Sequence, residues 1–289
     1  MPMITEILRT WRFICFHPLA SQNLPAAFSL WLKWQIGSRI LNLPIVIPFI
    51  GDSQLVVERG MTGATGNIYT GLHEFIDMAF CLHLLRPGDL FIDVGANVGS
   101  YTILASKVVG ANSFTLEPVP ETFKRLKRNI NINDIVSLVD ARCCAAGITN
   151  GSLMFSESLD TMNKVVNADY LGNSIEVPVE SLDVMLDKLQ PTLIKIDVEG
   201  FEPAVIAGAI KTLLRDSLLA VLLETVTPEI KEILQKSGFE PSSYDPFKRE
   251  LVNTVPIHSG NNYLWLRNPT QILERCKSAS RYEVLGVSF

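Results

Sequence analysis

Apolar residues recur at helical spacing from Asn67 onward, at Phe75, Ile76, Ala79, Phe80 and Leu84, and the run stops at Arg86, Pro87 and Gly88. An apolar stretch follows directly, Leu90 to Val94, interrupted only by Asp93, which predicts a buried strand. It leads into Gly95, Ala96, Asn97, Val98 and Gly99, after which helical spacing resumes at Ile103, Leu104 and Val108. The pattern then repeats. Ser113 to Glu117 reads as a strand, followed by a helix carrying Phe123, Leu126 and Ile130 on one face. Apolar runs at Leu193 to Asp197 and Leu218 to Glu224 bracket a helix with Val205, Ile206, Ala209, Ile210 and Leu213 inward. Thr227 and Pro228 supply a cap and first turn for one more helix, which Gly238 stops. Tyr263 and Trp265, after a loop at Ser259 to Asn262, predict a late strand pairing antiparallel with a segment near Phe239. Alternation of this length selects an α/β class: a doubly wound, mostly parallel Rossmann-like sheet with a late antiparallel strand.

The regular pattern occupies residues 67–270, leaving an extension at 1–66 and a tail at 271–289. Phe13 to Leu32 carries no Lys, Arg, Asp or Glu and is long enough to raise the question of a membrane span. His17, Pro18, Ser21, Gln22, Asn23 and Pro25 interrupt it, and Pro44 and Pro48 break a second apolar run at Ile40 to Ile50. Residues 1–66 therefore pack on the core, on a partner or weakly on a membrane surface, and packing on the core is the expectation.

Bulk composition narrows the chemistry. The 289 residues are 47 % hydrophobic and 19 % charged, with a net charge of −5, which excludes a disordered chain and gives no basic field for nucleic acid. The five cysteines, Cys15, Cys81, Cys143, Cys144 and Cys276, lack CxxC spacing, which argues against zinc and disulfides and for a reducing cytoplasm. Cys143 and Cys144 read as packing residues on opposite sides of a strand.

The loop Asp93 to Gly99 is the candidate ligand site, because glycines after a strand let the backbone turn tightly and approach a ligand. A dinucleotide pyrophosphate is one reading, which would make the chain an NAD(P)-dependent oxidoreductase. The spacing is not GxGxxG, however, and Asp93 sets a carboxylate where phosphates need neutral or positive surroundings. A ligand bearing an ammonium and a sulfonium suits that carboxylate better, and Glu117, ending the second strand, can accept both hydroxyls of an adenosine ribose.

The residues Phe91 to Thr102 together resemble the cofactor loop of the FkbM family of methyltransferases, within the class I S-adenosylmethionine-dependent superfamily. Leu116 Glu117 Pro118, with a helix ending at Asn129 to Asn133, is similar to that family's acidic second strand, and Leu193 to Glu202 is similar to its most distinctive motif. The match covers roughly residues 70–225. The resemblance implies methyl transfer from S-adenosylmethionine, usually to a sugar or polyketide hydroxyl. By the same analogy Asp93, Gly95, Asn97, Gly99 and Ser100 surround the methionine part, Glu117 holds the ribose, and Cys144 and Ala145 lie along the adenine edge. Glu74 either reaches the cofactor ammonium or is a solvated helix charge.

Removing the acceptor proton is the harder chemical requirement, and Asp197, Glu199 and Glu202 are the candidates for it. Three carboxylates so close suit a general base, oxygen ligands for a divalent cation such as Mg²⁺, or groups that hold the acceptor hydroxyl. Glu202 ahead of Pro203 also reads as an ordinary helix N-terminal charge. Lys195 shares a strand face with Asp197 and either neutralises the carboxylates, binds the acceptor or forms a buried ion pair. His73 and His258 sit where they can approach a pocket, His17 and His83 have no chemical company, and none enters the catalytic set. A non-catalytic scaffold that keeps the fold and the cofactor is the remaining alternative.

Overall fold

The computed structural model describes residues 2–41, 43–156, 172–252 and 262–289. Its main sheet has eight strands: β1 (Leu90–Val94), β2 (Asn112–Leu116), β3 (Val139–Arg142), β4 (Leu193–Ile196), β5 (Ala220–Leu223), β6 (Glu240–Asp245), β7 (Glu250–Val252) and β8 (Tyr263–Leu266). They lie in the order β7-β6-β8-β5-β4-β1-β2-β3. The strands from β1 to β5 pair in parallel, and β8 runs antiparallel between β5 and β6. The late antiparallel strand expected at Tyr263 and Trp265 is thus present, with two partners instead of one. Ser259 to Asn261 and His258 lie outside the described residues.

Side-chain alternation divides the sheet into two cores. Phe91 of β1, Leu193 of β4 and Leu222 of β5 pack on one face with Phe75 and Phe80 of the Phe75–Leu84 helix. Ile92, Ile194 and Val221 point the other way, toward Val205, Ile206, Ile230 and Leu234 of the Glu202–Ala207 and Pro228–Lys236 helices. β4 and β5 are buried throughout, as parallel strands covered on both faces must be.

Several elements differ from the periodic reading. The first helical stretch is two helices, Thr62–Thr70 and Phe75–Leu84. The stretch through Val205 and Leu213 is also two, Glu202–Ala207 and Ile210–Leu213, separated at Gly208, where a side chain would drive its Cβ to 1.9 Å from the Gly147 carbonyl oxygen. The helix after the Asp93 loop is α-helical at Ser100–Ile103 and widens to π geometry at Leu104–Val109. Cys143 and Cys144 follow the end of β3 and do not lie in a strand, although Cys144 is buried as expected. A three-stranded sheet of Ala145–Ala146, Gly151–Ser156 and Ser174–Glu180 carried no periodic signal strong enough to predict it.

Residues before the core form the Pro2–Phe16 and Leu24–Leu41 helices and an antiparallel hairpin of Ile45–Pro48 with Gln54–Val57. Trp34, Leu55 and Val57 pack with Ile103, Leu126 and Ile130. The hairpin's outer edge is sealed by two amides of the Pro120–Ile132 helix and its cap. Asn129, fully buried, accepts from the Val56 N–H at 2.7 Å and donates to the Val98 carbonyl at 2.8 Å. Asn133 accepts from the Gln54 N–H and donates to the Gln54 carbonyl, both at 2.8 Å.

The last residues are fixed from within. Arg249 donates to the carbonyls of Cys276, Ala279, Ser280 and Phe289, and Ile272, Cys276 and Phe289 sit in the first core. Buried Asp77 accepts from both the backbone N–H and the side chain of Asn262, joining the Phe75–Leu84 helix to the start of β8.

Two predictions follow from this packing. Asn129→Ala leaves buried partners of the hairpin and of the Asp93 loop unpaired, so it should lower stability in urea melts by about 1–3 kcal/mol. Burial, then the Glu74 carboxylate, push Asp77 up to about 7. A carboxyl raised on folding stabilises fully at low pH and loses that contribution as pH rises through about 7. The melting temperature of Asp77→Asn should therefore fall less than that of the parent between mildly acidic and mildly alkaline buffer.

Candidate functional site

Strand order reverses between β1 and β4, and both strands end at a cleft of about 300 Å³. The loops after these strands are interlocked. Gly95 has φ +81°, and a Cβ there would lie 1.9 Å from the Asp197 carbonyl oxygen. A side chain at Gly99 would press on Leu126 at 2.5 Å. Both glycines have positive φ and close protein neighbours, so the tight turn expected here also lets the two loops pack against each other.

The cleft collects most of the residues singled out in the sequence. Glu74, Asp93, Gly95, Asn97, Ser100, Glu117, Cys144, Ala145, Lys195, Asp197 and Glu199 all line it. Gly99 and Glu202 do not. Gly99 caps the helix that begins at Ser100, and Glu202 is completely buried at the start of its own helix, both carboxylate oxygens without a hydrogen-bond partner among the described residues. Of the histidines, His73 lines the cleft with its Nδ1 buried and unpartnered among the described residues. His17 is structural: its Nδ1 accepts from the Leu19 and Ala20 N–H groups, which leaves Nε2 to donate to the His73 carbonyl at 3.1 Å.

The electrostatic centre is Lys195. Its ammonium is buried, 2.7 Å from Asp197 Oδ2 and 4.7 Å from the centre of the Tyr101 ring. Burial alone would weaken its hold on the proton, but Asp197, Glu74 and Asp93 outweigh that and keep it above the ordinary lysine value. The same contact answers the burial of Asp197, whose carboxylate is held below its usual range. Asp93, opposite Lys195 in the sheet register, accepts from Thr102 Oγ1 at 2.7 Å, while its Oδ1 has no partner among the described residues. Burial pushes the Asp93 carboxyl up. Tyr101 donates to Glu74 at 2.7 Å.

Glu117 is placed by backbone. Its Oε2 accepts from the Asn97 N–H at 3.0 Å and its Oε1 from the Val119 N–H at 2.9 Å, and burial raises its carboxyl to about 7. Asn67 ties the neighbouring wall together, donating to Ser100 Oγ and accepting from the His73 N–H.

Sequence reading missed several members of the wall, three of which hydrogen-bond to other lining residues. Glu224, just after β5, hydrogen-bonds to Asp197, and burial with the Asp197 and Glu199 charges raises it to about 8. Tyr101 and Asn67 complete the set. An acidic residue at the carboxyl end of a strand adjoining β4 was the available signal for Glu224. The lining thus carries six carboxylates, Glu74, Asp93, Glu117, Asp197, Glu199 and Glu224, against one ammonium. Among the described residues no three His, Cys, Asp or Glu side chains are grouped to hold a metal ion.

Comparison with known proteins places this geometry. The chain is 25 % identical over 209 residues to the methyltransferase sdnD of Sordaria araneosa, spanning 57 % of this chain and 79 % of that protein. It is 30 % identical over 131 residues to the hexuronic acid methyltransferase AglP of Haloferax volcanii, covering 42 % of this chain and only 49 % of that relative's length. It is 28 % identical over 170 residues to the 31-O-demethyl-FK506 methyltransferase FkbM of Streptomyces tacrolimicus, 46 % of this chain and 65 % of that one. A crystal structure of methyltransferase FkbM from Methylobacillus flagellatus superposes with a TM-score of 0.44 at 15 % identity, over 88 % of this chain and 60 % of that one. The methyltransferase FkbM domain matches residues 93–243, just over half of the chain, from the Asp93 carboxylate of the cleft into β6, and the protein belongs to that family of methyltransferases.

Proposed function

We propose that this methyltransferase moves the methyl group of S-adenosylmethionine to a hydroxyl oxygen of a sugar, glycan or polyketide-like small molecule. The observation that carries the cofactor reading is the charge of the cleft. Six acidic side chains face one committed ammonium. Although burial raises Asp93, Glu117 and Glu224, an ammonium and a sulfonium on the ligand would favour their ionised forms, whereas the pyrophosphate of a dinucleotide would oppose them. The orphaned Oδ1 of Asp93 is a buried acceptor that a donor on the ligand would satisfy. The relatives' names, which specify a hexuronic acid and a 31-O-demethyl compound, support a hydroxyl-bearing small molecule as acceptor.

In this reading Glu117 binds the ribose hydroxyls with the lone pairs its two backbone donors leave over. Asp93, Asn97 and Ser100 face the methionine part, Glu74 the ammonium, and Cys144 with Ala145 the adenine edge. The bound cofactor supplies an electrophilic methyl on sulfur. The protein's own work is to align the acceptor oxygen, exclude water and remove one proton. Asp197, held ionised by Lys195, is by itself a weak base. Glu224 shares a hydrogen bond with it and titrates near 8, so the Asp197–Glu224 pair is the proton acceptor, with Glu199 at the rim. Glu202 is completely buried and outside the cleft lining, so it takes no part in this reading.

Calorimetric titration with S-adenosylmethionine, S-adenosylhomocysteine and NADH in parallel tests the cofactor. Micromolar binding of the two adenosyl compounds is expected, and binding of NADH alone would overturn the reading. Glu117→Ala should weaken S-adenosylhomocysteine at least about tenfold, by the scale of lost hydrogen bonds to a charged group. Because the ionised form accepts the ribose hydroxyls, parental affinity should fall as pH drops below about 7, and Glu117→Gln should flatten that dependence.

Asp197→Ala should retain cofactor binding and lose turnover by about 10²-fold or more. Glu224→Gln should remove the limb of the pH–rate profile that rises toward about 8. Normal turnover by both variants with a working acceptor would favour a different base, and no turnover by the parent with intact cofactor binding would favour a scaffold role.

A further inference from the structure

Eighteen large apolar side chains stand exposed among the described residues, and nine of them lie within residues 8–46. They are organised. Leu32, Ile36 and Ile40, each more than half exposed, repeat every fourth residue along the Leu24–Leu41 helix, away from the buried Ala27, Trp34 and Ser38. On the Pro2–Phe16 helix, Leu8, Trp11 and Phe16 are exposed. Trp11 meets Phe28 edge-on at 5.3 Å and Trp31 at 5.7 Å, so an aromatic seam joins the two helices.

The charge of this region is opposite to that of the chain. Residues 1–51 contain Arg9, Arg12, Lys33 and Arg39 and one acidic residue, Glu6, in a protein of net charge −5. Lys33 and Arg39 lie three residues either side of Ile36, so cations border the apolar stripe. No helix among the described residues is long and apolar enough to cross a membrane. Apolar side chains, an interfacial tryptophan and flanking cations on two surface helices are the chemistry of a segment that lies in the headgroup region of a bilayer. A second copy of the chain fits less well, since a self-complementary contact would bring like charges together.

We infer that the N-terminal helical pair is a docking surface for an anionic lipid bilayer. Leu32, Ile36, Ile40 and Trp11 enter the interface, and Arg9, Arg12, Lys33 and Arg39 meet the lipid phosphates. The first helix also walls a cavity of about 580 Å³ whose lining includes Arg9, Arg12 and Phe16 together with His73 and Glu74, two residues of the cleft. Docking therefore sets the bilayer beside a cavity that shares His73 and Glu74 with the cleft. The docking itself needs neither cofactor nor acceptor, so its failure and failure of the methyl-transfer reading are distinguishable.

The test is sedimentation of the full chain with vesicles of phosphatidylcholine, alone or mixed with anionic phosphatidylglycerol. Binding to the mixed vesicles should exceed that to neutral ones by at least about tenfold and weaken as salt is raised. Leu32→Glu, Ile36→Glu and Ile40→Glu together should abolish binding while leaving the thermal melt and S-adenosylhomocysteine affinity unchanged. Arg9→Gln, Arg12→Gln and Lys33→Gln together should remove the preference for anionic lipid. Negligible binding to both vesicle types, parental binding by the triple glutamate variant, or a dimer in light scattering that this variant dissolves would each overturn the inference.

Discussion

A buried ammonium on the fifth-from-edge strand lets the protein gather acids where a parallel sheet would otherwise exclude them. Lys195 faces Asp93 across adjacent strands, contacts Asp197 two residues on, and lies over Tyr101, which in turn holds Glu74. Without that charge, Asp93 and Asp197 would each be an uncompensated carboxylate in a low-dielectric setting, and one or both would protonate. With it, the end of the sheet keeps a net negative field that is still partly unsatisfied. The charge balance at this end of the sheet thus rests largely on one side chain.

The two faces of the sheet divide the remaining labour. One core locks β1, β4 and β5 to the Phe75–Leu84 helix and, through Arg249 and Phe289, to the end of the chain. The other supports the helix that starts at Glu202, directly after the loop carrying Asp197 and Glu199. Glu199 and Gly200 both have positive φ, so this loop turns back sharply before the helix begins. Asp197 and Glu199 are therefore carried on a short connection between rigid elements, which fixes their position in the cleft.

Much of this was legible because its signals are local. Asp93 to Val98, Glu117, Lys195 and Asp197 follow strand, turn and helix punctuation within a dozen residues, and the structure brings them to one cleft. What escaped was set by tertiary contact. Glu224 matters because β5 lies beside β4, and Asn129 because a hairpin more than seventy residues earlier needs its edge covered. The Ile45–Pro48 strand was hidden by prolines that read as breakers, and the helix break at Gly208 by a carbonyl from another part of the chain. Glu202 looked like a cleft residue because sequence spacing measures distance along the chain and carries no information about which side of a loop is sealed.

The contact between Gly95 and the Asp197 carbonyl has a consequence for diversification. The two loops occupy one another's space, so neither can lengthen, shorten or gain a side chain at the contact without displacing the other. They behave as a single fixed anvil whose shape is inherited whole. Variation that preserves the contact must then fall in the elements around that anvil and leave both loops as they are.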